Sequence, residues 1–515
     1  MYRNIARKLI VPAAILAMAL PALAPAQSEK DDSPTRTPIK HVVVIFQENV
    51  SFDHYFGTYP NAAPNKDGSK YFGSAKRDTP RVNNLASAGL LTNNPNGTNP
   101  FRIDRTNPNT CDEDHGYGDE QFAFHGGLMD RFTGTLPNGH PFSCNDPNLG
   151  PNSTLGYYDG NTVTALWNYA QHYAMSDNSF GTTFGPSTPG LLNLVAGTTV
   201  EASVTNGLSA AGNIAGGSTS GADIGDPDPA FDKCSNPTRT QISMSGQNVG
   251  DLLNKAGITW GSFMGGFANC TNVSTGITGL STADYIPHHA FFEYWQSTSN
   301  PNHTPRTSVA MIGHQGDAAN HNYDLADFWD ALAAHNLPAV SFIKARAIED
   351  GHAGYSDPLD EQNFLVQIVN KLQRSSDWND TAVIISYDDS DGWYDHVMGP
   401  IVNQSNVTDD QLLGAGNCGT PKPDETGSIQ NGRCGYGPRL PLLVVSPFAR
   451  ANFVDHRVTD QSSIIRFIED NWNLGRIGNG STDAIAGTID GLFDFRGEGG
   501  NGRLFLDPLT GQPTH

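Results

Sequence analysis

The sequence is poor in basic residues and in long apolar runs. Its 515 residues include 31 Lys and Arg against 53 Asp and Glu, which gives a formal net charge of −22. Because an acidic chain repels phosphate backbones, nucleic acid is excluded as an electrostatic partner. Beyond residue 26 no apolar run is long enough to cross a bilayer, which excludes a stable membrane span there.

The sequence also lacks a C-x-x-C pair, a G-x-S-x-G turn, internal repeats and a charged or Pro-Thr-rich linker. The first absence weakens thiol-redox and zinc-ribbon interpretations, and the second weakens a Ser-His-Asp hydrolase as a third interpretation. Without repeats or linkers, residues 27–515 are predicted to form a single domain, with a core at about 38–472 and a Gly-rich C-terminal tail. The 55 Gly and 33 Pro predict many long loops.

The first 26 residues have the order of a secretory signal peptide. Basic residues precede an apolar run from Leu9 to Leu23, and small residues follow at Ala22, Ala24 and Ala26. We expect cleavage after Ala26, and an uncleaved anchor is the alternative. The protein is therefore predicted to be exported, either to the periplasm or outside the cell.

The six cysteines all lie beyond that segment, at 111, 144, 234, 270, 418 and 434. An even count in an exported protein predicts disulfides, although pairing cannot be deduced from sequence. Pairing in sequence order would close three loops, of which Cys418–Cys434 around a Gly-rich excursion is the best supported.

Short apolar runs predict strands that are buried on both faces of a sheet. They lie at His41–Phe46, Pro338–Ile343, Thr381–Tyr387 and Leu440–Ser446. Amphipathic helices are predicted between or after them, at about 325–332, 360–374 and 462–471. We predict an α/β fold with a mostly parallel central sheet, helices on both faces and long loop-rich insertions.

Residues that can bind metal or phosphate follow three of these strands: Glu48 and Asn49, then Glu349, Asp350 and His352, then Asp388 and Asp389. Open α/β sheets bind ligands at the carboxyl edge of their strands. Residues 387–396 place four carboxylates and one imidazole close together, and a divalent cation would relieve their repulsion. An acidic surface turn is the alternative.

The segment FGPSTPG, residues 184–190, precedes the apolar run Leu191–Val195. Ser187 there fits a helix N-cap, with Pro189 in the first turn. It also fits a nucleophile, since a helix N-terminus favours a phosphate dianion. The residues alone favour the cap.

Four histidines lie in Gly-, Asp- or Pro-rich loops: His115, His288, His289 and His352. As a set they can hold phosphate oxygens or protonate a leaving group. His54 is predicted to be structural, and Phe52, Tyr55 and Phe56 are predicted to be core anchors. Residues 206–241 and the tail after Gly478 are predicted to be peripheral and without chemistry.

Taken together, several runs resemble the bacterial phosphoesterase family, which joins secreted acid phosphatases to phosphatidylcholine-type phospholipases C. The resemblance spans about residues 38–472 and rests on IKHVVVIFQENVSFDHYFGTYP, CDEDHGY, FGPSTPG, YIPHH, EDGHAG, YDDSDGWYDHV and GPRLPLLVVSPFAR. It implies an alkaline-phosphatase-like fold and one divalent metal ion, which the oxygen ligands leave open as calcium, magnesium, manganese or iron. The implied metal ligands are Glu48, Asn49, Ser187, Asp388 and Asp389. Ser187 is the implied nucleophile, and the implied phosphate-site histidines are His115, His288, His289 and His352.

The chain also departs from the family pattern. Val50 stands where the family usually has Arg, and Gly190 stands where it usually has Asn. Ser187 in place of Thr, Asp389 in place of Glu, and the lack of a twin arginine and of a C-terminal extension resemble the acid-phosphatase branch. The expected function is hydrolysis of small phosphoric monoesters through a phosphoserine. The alternatives are phospholipase C activity on choline phospholipids and an inactive binding protein of the same fold.

Overall fold

The computed structural model describes Met1 and residues 34–73, 75–424, 426–497 and 502–514. The predicted signal peptide lies outside the described residues, apart from Met1. The α-helices of the described chain are Phe52–Phe56 (α1), Leu85–Ala88 (α2), Tyr117–Phe124 (α3), Thr164–His172 (α4), Ser187–Ala196 (α5), Val249–Ala256 (α6), Leu325–Ala333 (α7), Pro358–Arg374 (α8) and Ser462–Trp472 (α9).

An eight-stranded sheet lies at the centre of the described chain. Its strands are His41–Gln47 (β1), Ala174–Ser176 (β2), Trp260–Met264 (β3), Asn322–Asp324 (β4), Val340–Lys344 (β5), Thr381–Tyr387 (β6), Leu442–Val445 (β7) and Phe453–Asp455 (β8). Their order across the sheet is β4-β3-β5-β1-β6-β7-β2-β8. Every neighbouring pair is parallel except those that involve β7. The prediction of an α/β fold with a mostly parallel central sheet is confirmed.

The register of the three central strands brings their carboxyl ends together. In the pairing of β1 with its neighbours, Ile45 lies opposite Ile343 and Gln47 lies opposite Tyr387. All residues of β5 and β6 are buried, so both faces of the sheet are covered there. The polar residues that follow these strands therefore meet at one edge of the sheet.

Two of the strand predictions are corrected in detail. The strand predicted at 338–343 begins at Val340, since Pro338 has no N–H to donate to a ladder. The run predicted as a strand at 440–446 forms β7, which is antiparallel to both of its neighbours. A single reversed strand does not alter the burial pattern, so the apolar run could not reveal its direction.

Local sequence explains where helix α8 begins. The Asp357 side chain accepts hydrogen bonds from the N–H groups of Leu359 and Asp360, and Pro358 occupies the first turn. Phe364, along with the aliphatic residues on the same face, is buried against the sheet core. The helix links β5 to β6 and so completes the predicted βαβ unit.

Smaller sheets occupy the insertions. A four-stranded sheet is formed by Ala202–Val204, Ser220–Gly221, Asp228–Pro229 and Gln241–Met244. Two-stranded sheets pair Phe101–Arg102 with Gly156–Tyr157, Ser179–Phe180 with Thr459–Asp460, and Val273–Thr275 with Ser281–Ala283. The cysteines pair in sequence order as Cys111–Cys144, Cys234–Cys270 and Cys418–Cys434. Within the described chain, no helix has the length and hydropathy needed to span a bilayer.

Candidate active site

The carboxyl ends of β1, β5 and β6 bring two carboxylates and a lysine into contact. Glu48 follows β1, Lys344 ends β5 and Asp388 follows β6. The Lys344 Nζ forms an ion pair with Glu48 Oε1 and lies 3.6 Å from Asp388 Oδ2. The Lys344 and Glu48 side chains are fully buried. The loops after β1 and β6 are also tied together, because the Val50 N–H donates to the carbonyl of Asp389.

Ser187 is the first residue of α5, and its side chain points at these carboxylates. Its Oγ lies 3.0 Å from Glu48 Oε2 and 3.2 Å from Asp389 Oδ2. Pro186 occupies the N-cap position, and the Ser187 hydroxyl makes no capping hydrogen bond. The helix-cap interpretation of Ser187 is therefore wrong, and the structure brings Ser187 together with the predicted metal ligands.

Helix α5 approaches the end of β6 unusually closely. A Cβ atom at Gly190 would lie 2.3 Å from the carbonyl oxygen of Asp388, so only glycine fits at this distance. At the start of the helix, the Thr188 N–H donates to Asp226 Oδ1 at 2.9 Å. Asp226 belongs to residues 206–241, and the prediction that this region takes no part in the site is wrong. Its composition is that of a loop, yet its fold brings one carboxylate to α5.

Burial and mutual repulsion make the acidic side chains reluctant to ionise. Burial, followed by the charge of Glu48, raises the pKa of Asp388 well above its ordinary value. Burial and the charges of Asp388 and Glu48 do the same for the pKa of Asp389. Burial alone would lower the pKa of Lys344, but the neighbouring carboxylates outweigh it and raise that pKa. One ammonium thus offsets only part of the negative charge.

Two buried oxygens at this edge are candidate metal ligands. Within the described residues, neither Asn49 Oδ1 nor Asp388 Oδ2 accepts a hydrogen bond, although both are buried. Asn49 also has a φ of +50°, a left-handed conformation that Asn tolerates and that is common at functional sites. These oxygens, together with those of Glu48 and Asp389, fit a hard divalent cation. We call Glu48, Asn49, Asp388 and Asp389 the ligand cluster.

His115 lies beside Asn49 of the ligand cluster, and His352 packs against His115. The Nε2 of His115 is 3.5 Å from Asn49 Nδ2, and its Nδ1 bonds to the carbonyl of Glu113 at 2.8 Å. Burial would lower the pKa of His115, but Asp112 and other acidic neighbours outweigh it, so the pKa is raised. Burial lowers the pKa of His352 to about 4. The two rings pack edge to face, with centroids 6.1 Å apart.

His289 and His288 lie on the opposite side of Glu48. The Nδ1 of His289 is 3.4 Å from Glu48 Oε1, and burial followed by the charge of Lys344 lowers its pKa well below the ordinary value. His288 lies further out, with its Nδ1 3.8 Å from Asp228 Oδ1. The structure thus brings three of the four predicted histidines close to the ligand cluster, while His288 faces the acidic insertion.

The two motifs that carry the ligand cluster also supply Asp53, Asp395 and His396, which form a second acidic cluster with Arg439 of a later motif. We call these four residues the arginine cluster. Arg439 donates to Asp395 at 3.0–3.1 Å, and its Nη2 lies 3.3 Å from Asp53 Oδ1. The Nδ1 of His396 bonds to Asp53 Oδ2 at 2.5 Å. Groups outside the cluster add to it, since the Leu85 N–H donates to Asp53 and Arg439 donates to the carbonyls of Asn83 and Asp177. The arginine cluster therefore links distant parts of the chain.

The aromatic residues of the first motif have structural roles, as predicted. Phe52, Tyr55 and Phe56 are buried in the core. His54 stacks on Trp393 with ring centroids 3.9 Å apart, and its Nδ1 bonds to the carbonyl of Gly156 at 2.8 Å. Burial lowers the pKa of His54 to about 3, which keeps its ring neutral.

An open cavity of about 900 Å³ leads towards the site, with His115 and Pro186 in its wall. Among the described residues that line it there is no Lys or Arg, while six carboxylates do so: Asp112, Glu113, Asp114, Asp119, Asp226 and Asp409. This entrance gives substrates with a positively charged group an electrostatic advantage.

Sequence reasoning missed Lys344 and Asp226. Lys344 directly follows an apolar run that predicted a buried strand, and a lysine at the carboxyl end of such a strand is a usable signal. Asp226 lies in a Gly- and Ser-rich segment without periodicity, and no local signal identifies it.

The chain is similar in sequence to one family of known proteins. The model of the phosphoesterase family matches residues 39–475. A non-hemolytic phospholipase C of Pseudomonas aeruginosa is 24% identical over 451 residues, which cover 85% of this chain and 54% of that protein. Phospholipase C B of Mycobacterium tuberculosis is 24% identical over 472 residues, 89% of this chain and 78% of that one. The chain thus spans about half the length of the Pseudomonas relative.

Two solved structures are similar to this chain at low sequence identity. Murine ectonucleotide pyrophosphatase/phosphodiesterase 5 is 11% identical with a TM-score of 0.32, over 64% of this chain and 95% of that one. An alkaline phosphatase superfamily protein from Vibrio parahaemolyticus is 12% identical with a TM-score of 0.29, over 75% of this chain and 76% of that one. The family match extends over most of the chain and includes the ligand cluster, Ser187 and all four histidines. The chain belongs to the phosphoesterase family.

Proposed function

We propose that this chain is an exported, metal-dependent phosphoric monoester hydrolase that forms a phosphoserine at Ser187. The observation that supports this most strongly is the position of Ser187 Oγ, 3.0 Å from Glu48 Oε2 and 3.2 Å from Asp389 Oδ2. A hydroxyl held between two buried carboxylates at the start of a helix has acceptors for its proton and a positive dipole for the phosphate.

Each residue of the site has a role in the proposed reaction. The Ser187 hydroxyl passes its proton to Glu48 or Asp389 as Oγ bonds to phosphorus, and the P–O bond to the alcohol breaks. His115, whose pKa is raised by its acidic neighbours, supplies a proton to the departing alkoxide. Water then cleaves the phosphoserine and regenerates the hydroxyl. A divalent cation bound by the ligand cluster would lower the hydroxyl pKa and offset the phosphate charge.

The experiment is a comparison of Ser187→Ala with Ser299→Ala. Ser299 is also buried, but lies outside the site. We expect Ser187→Ala to lower kcat/KM for p-nitrophenyl phosphate at least about a thousandfold, as is usual for loss of a nucleophile, and Ser299→Ala to leave it unchanged. Acid quenching during turnover should yield a phosphorylated peptide that contains Ser187. Full turnover by folded Ser187→Ala, or phosphate on another residue, would contradict the proposal.

Phospholipase C activity is the second candidate, and the acidic entrance is the observation that favours it. A choline head group is a cation, and six carboxylates line the path to Ser187. The chemistry is the same, with a diacylglycerol as the leaving alcohol. The ratio of turnover of p-nitrophenylphosphorylcholine to that of p-nitrophenyl phosphate separates the two, since a monoesterase favours the second substrate.

Export is part of the proposal and rests on the three disulfides, which form in oxidising compartments. Fractionation of cells that produce the full chain, followed by N-terminal sequencing, tests it. A mature protein that begins at Gln27 in the periplasm or medium is expected, and a cytoplasmic protein that still begins at Met1 would contradict it.

A further inference from the structure

Lys344 is a buried cation among side chains that otherwise have the composition of a metal site. Its Nζ pairs with Glu48 Oε1 and lies 3.6 Å from Asp388 Oδ2. The candidate ligand atoms of Glu48, His289 and Asp350 all lie within 4.8 Å of one another. Carboxylates combined with an imidazole are ligands that Mn²⁺ and Zn²⁺ accept.

We propose that the Lys344 ammonium occupies the position of a second divalent cation, so that the chain binds one cation where its side chains could hold two. The inference rests on the metal site of the proposed function. It assigns the Glu48 Oε2 side of the site to the bound metal and the Glu48 Oε1 side to Lys344.

Glu48 divides its two oxygens between these positions, and Asp388 offers its Oδ2 to the lysine position. Glu48 Oε2 faces Ser187, while Oε1 faces Lys344 and His289. Asp388 Oδ1 accepts hydrogen bonds from the N–H groups of Asn49 and Asp389, at 3.1 and 2.8 Å. Within the described chain Asp388 Oδ2 accepts none, and it lies on the lysine side. A cation at the lysine position would therefore meet oxygens that point towards it.

The remaining neighbours complete a closed pocket around the ammonium. The ring of Phe46 lies on one side, with its centroid 5.6 Å from Nζ. Asp350 is fully buried and is held by the His352 N–H at 3.0 Å and the Tyr355 hydroxyl at 3.2 Å. Because Lys344 is covalently attached, this charge stays in place when a chelator removes the bound metal.

The experiment counts cations in wild type, Lys344→Ala and Lys344→Arg. Each protein is stripped of metal and titrated with Mn²⁺ by calorimetry, and bound metal is measured by elemental analysis after desalting. We expect one Mn²⁺ in wild type and in Lys344→Arg, which keeps the charge. We expect two in Lys344→Ala, whose truncated side chain leaves room for the ion. Electron paramagnetic resonance should then show exchange-coupled Mn²⁺ pairs in Lys344→Ala alone.

One Mn²⁺ in folded Lys344→Ala, or two in wild type, would overturn the role assigned to Lys344 while leaving the proposed function intact. A wild type that binds no cation would overturn the metal site and the inference together. Lys344→Ser, purified with Mn²⁺ present, takes the place of Lys344→Ala if the latter does not accumulate as folded protein. A single Mn²⁺ in that variant also overturns the inference.

Discussion

The carboxylates of the ligand cluster and of the arginine cluster come from the same two sequence motifs, yet the electrostatics of the two clusters are opposite. In the arginine cluster, burial would raise the pKa of Asp53, but His396 and Arg439 outweigh it and lower that pKa. In the ligand cluster the pKa of Asp388 is raised, and one of its oxygens accepts no hydrogen bond within the described residues. The number of buried carboxylates is therefore a poor marker of a functional site. What distinguishes the ligand cluster is that two of its buried oxygens, Asn49 Oδ1 and Asp388 Oδ2, receive no hydrogen bond within the described residues.

The largest expected effect follows from removing Arg439. We expect Arg439→Met to lower the free energy of unfolding by about 3–5 kcal/mol, because it leaves Asp395 without its cation and Asp53 with His396 alone. Arg457→Met is the control, since that arginine is half exposed and its ion pair with Asp455 should contribute at most about 1 kcal/mol. Urea denaturation measures both. Cation affinity should not change in Arg439→Met. A variant that binds the cation more weakly but unfolds like wild type would invalidate the distinction between the clusters.

Replacing one aspartate by asparagine should mainly weaken cation binding in the ligand cluster and mainly lower stability in the arginine cluster. We expect Asp388→Asn to weaken cation binding about 100-fold or more, because a ligand is worth at least as much as the residues that support it. Its effect on unfolding should be smaller than that of Asp395→Asn, which breaks hydrogen bonds to Arg439. Calorimetric titration with Mn²⁺ and urea denaturation of both variants provide the test. A similar cation affinity in the two variants would contradict it.

The arginine cluster should also show a defined dependence on pH. Burial would lower the pKa of His396, but the charge of Asp53 outweighs it, so the folded pKa lies above the unfolded value of about 6.5. The imidazolium therefore stabilises the fold fully below pH 6.5, and this contribution is lost as pH rises through the folded pKa. We expect the free energy of unfolding of wild type to exceed that of His396→Gln by about 1.5–3 kcal/mol at pH 5.5. This difference should be smaller at pH 8.5. Urea denaturation of both proteins across this pH range measures the difference. A difference in the free energy of unfolding that does not change with pH would mean that the pairing with Asp53 is unimportant.

The smallest effect is expected at the entrance cavity, because water screens the charges of the carboxylates that line it. Burial and the charge of Asp114 raise the pKa of Asp119 to about 6, so its carboxylate is charged at neutral pH. We expect Asp119→Asn to raise KM for p-nitrophenylphosphorylcholine about two- to fivefold at low salt, with little change for p-nitrophenyl phosphate. Steady-state kinetics at pH 7.5 measure this. An equal change for both substrates would mean that the entrance does not select for positive charge.

Sequence alone could predict the parts of the site that depend on strand ends. Glu48 and Asp388 follow long apolar runs, and parallel strands bring such ends to one edge of a sheet. Ser187 was ambiguous, because a helix cap and a nucleophile share the same local pattern. Only the approach of α5 to β6 decides between them, and that depends on contacts between distant parts of the chain.

The division between the two clusters could not be predicted either. Asp388 and Asp395 lie in one acidic segment, and nothing local shows that Arg439 reaches only the second. Lys344 was overlooked because lysine is rarely buried unless it is paired, and its partners Glu48 and Asp388 are far away in sequence. These residues are defined by tertiary contacts rather than by periodicity.

Gly190 lies three residues along the helix from Ser187, and its missing side chain sets how near α5 can come to the end of β6. A family member with asparagine at this position must dock the helix further away or turn it about its axis. Either change moves the serine relative to the carboxylates without altering any of those residues. Substrate range can therefore shift through a position that acts on how helix α5 docks.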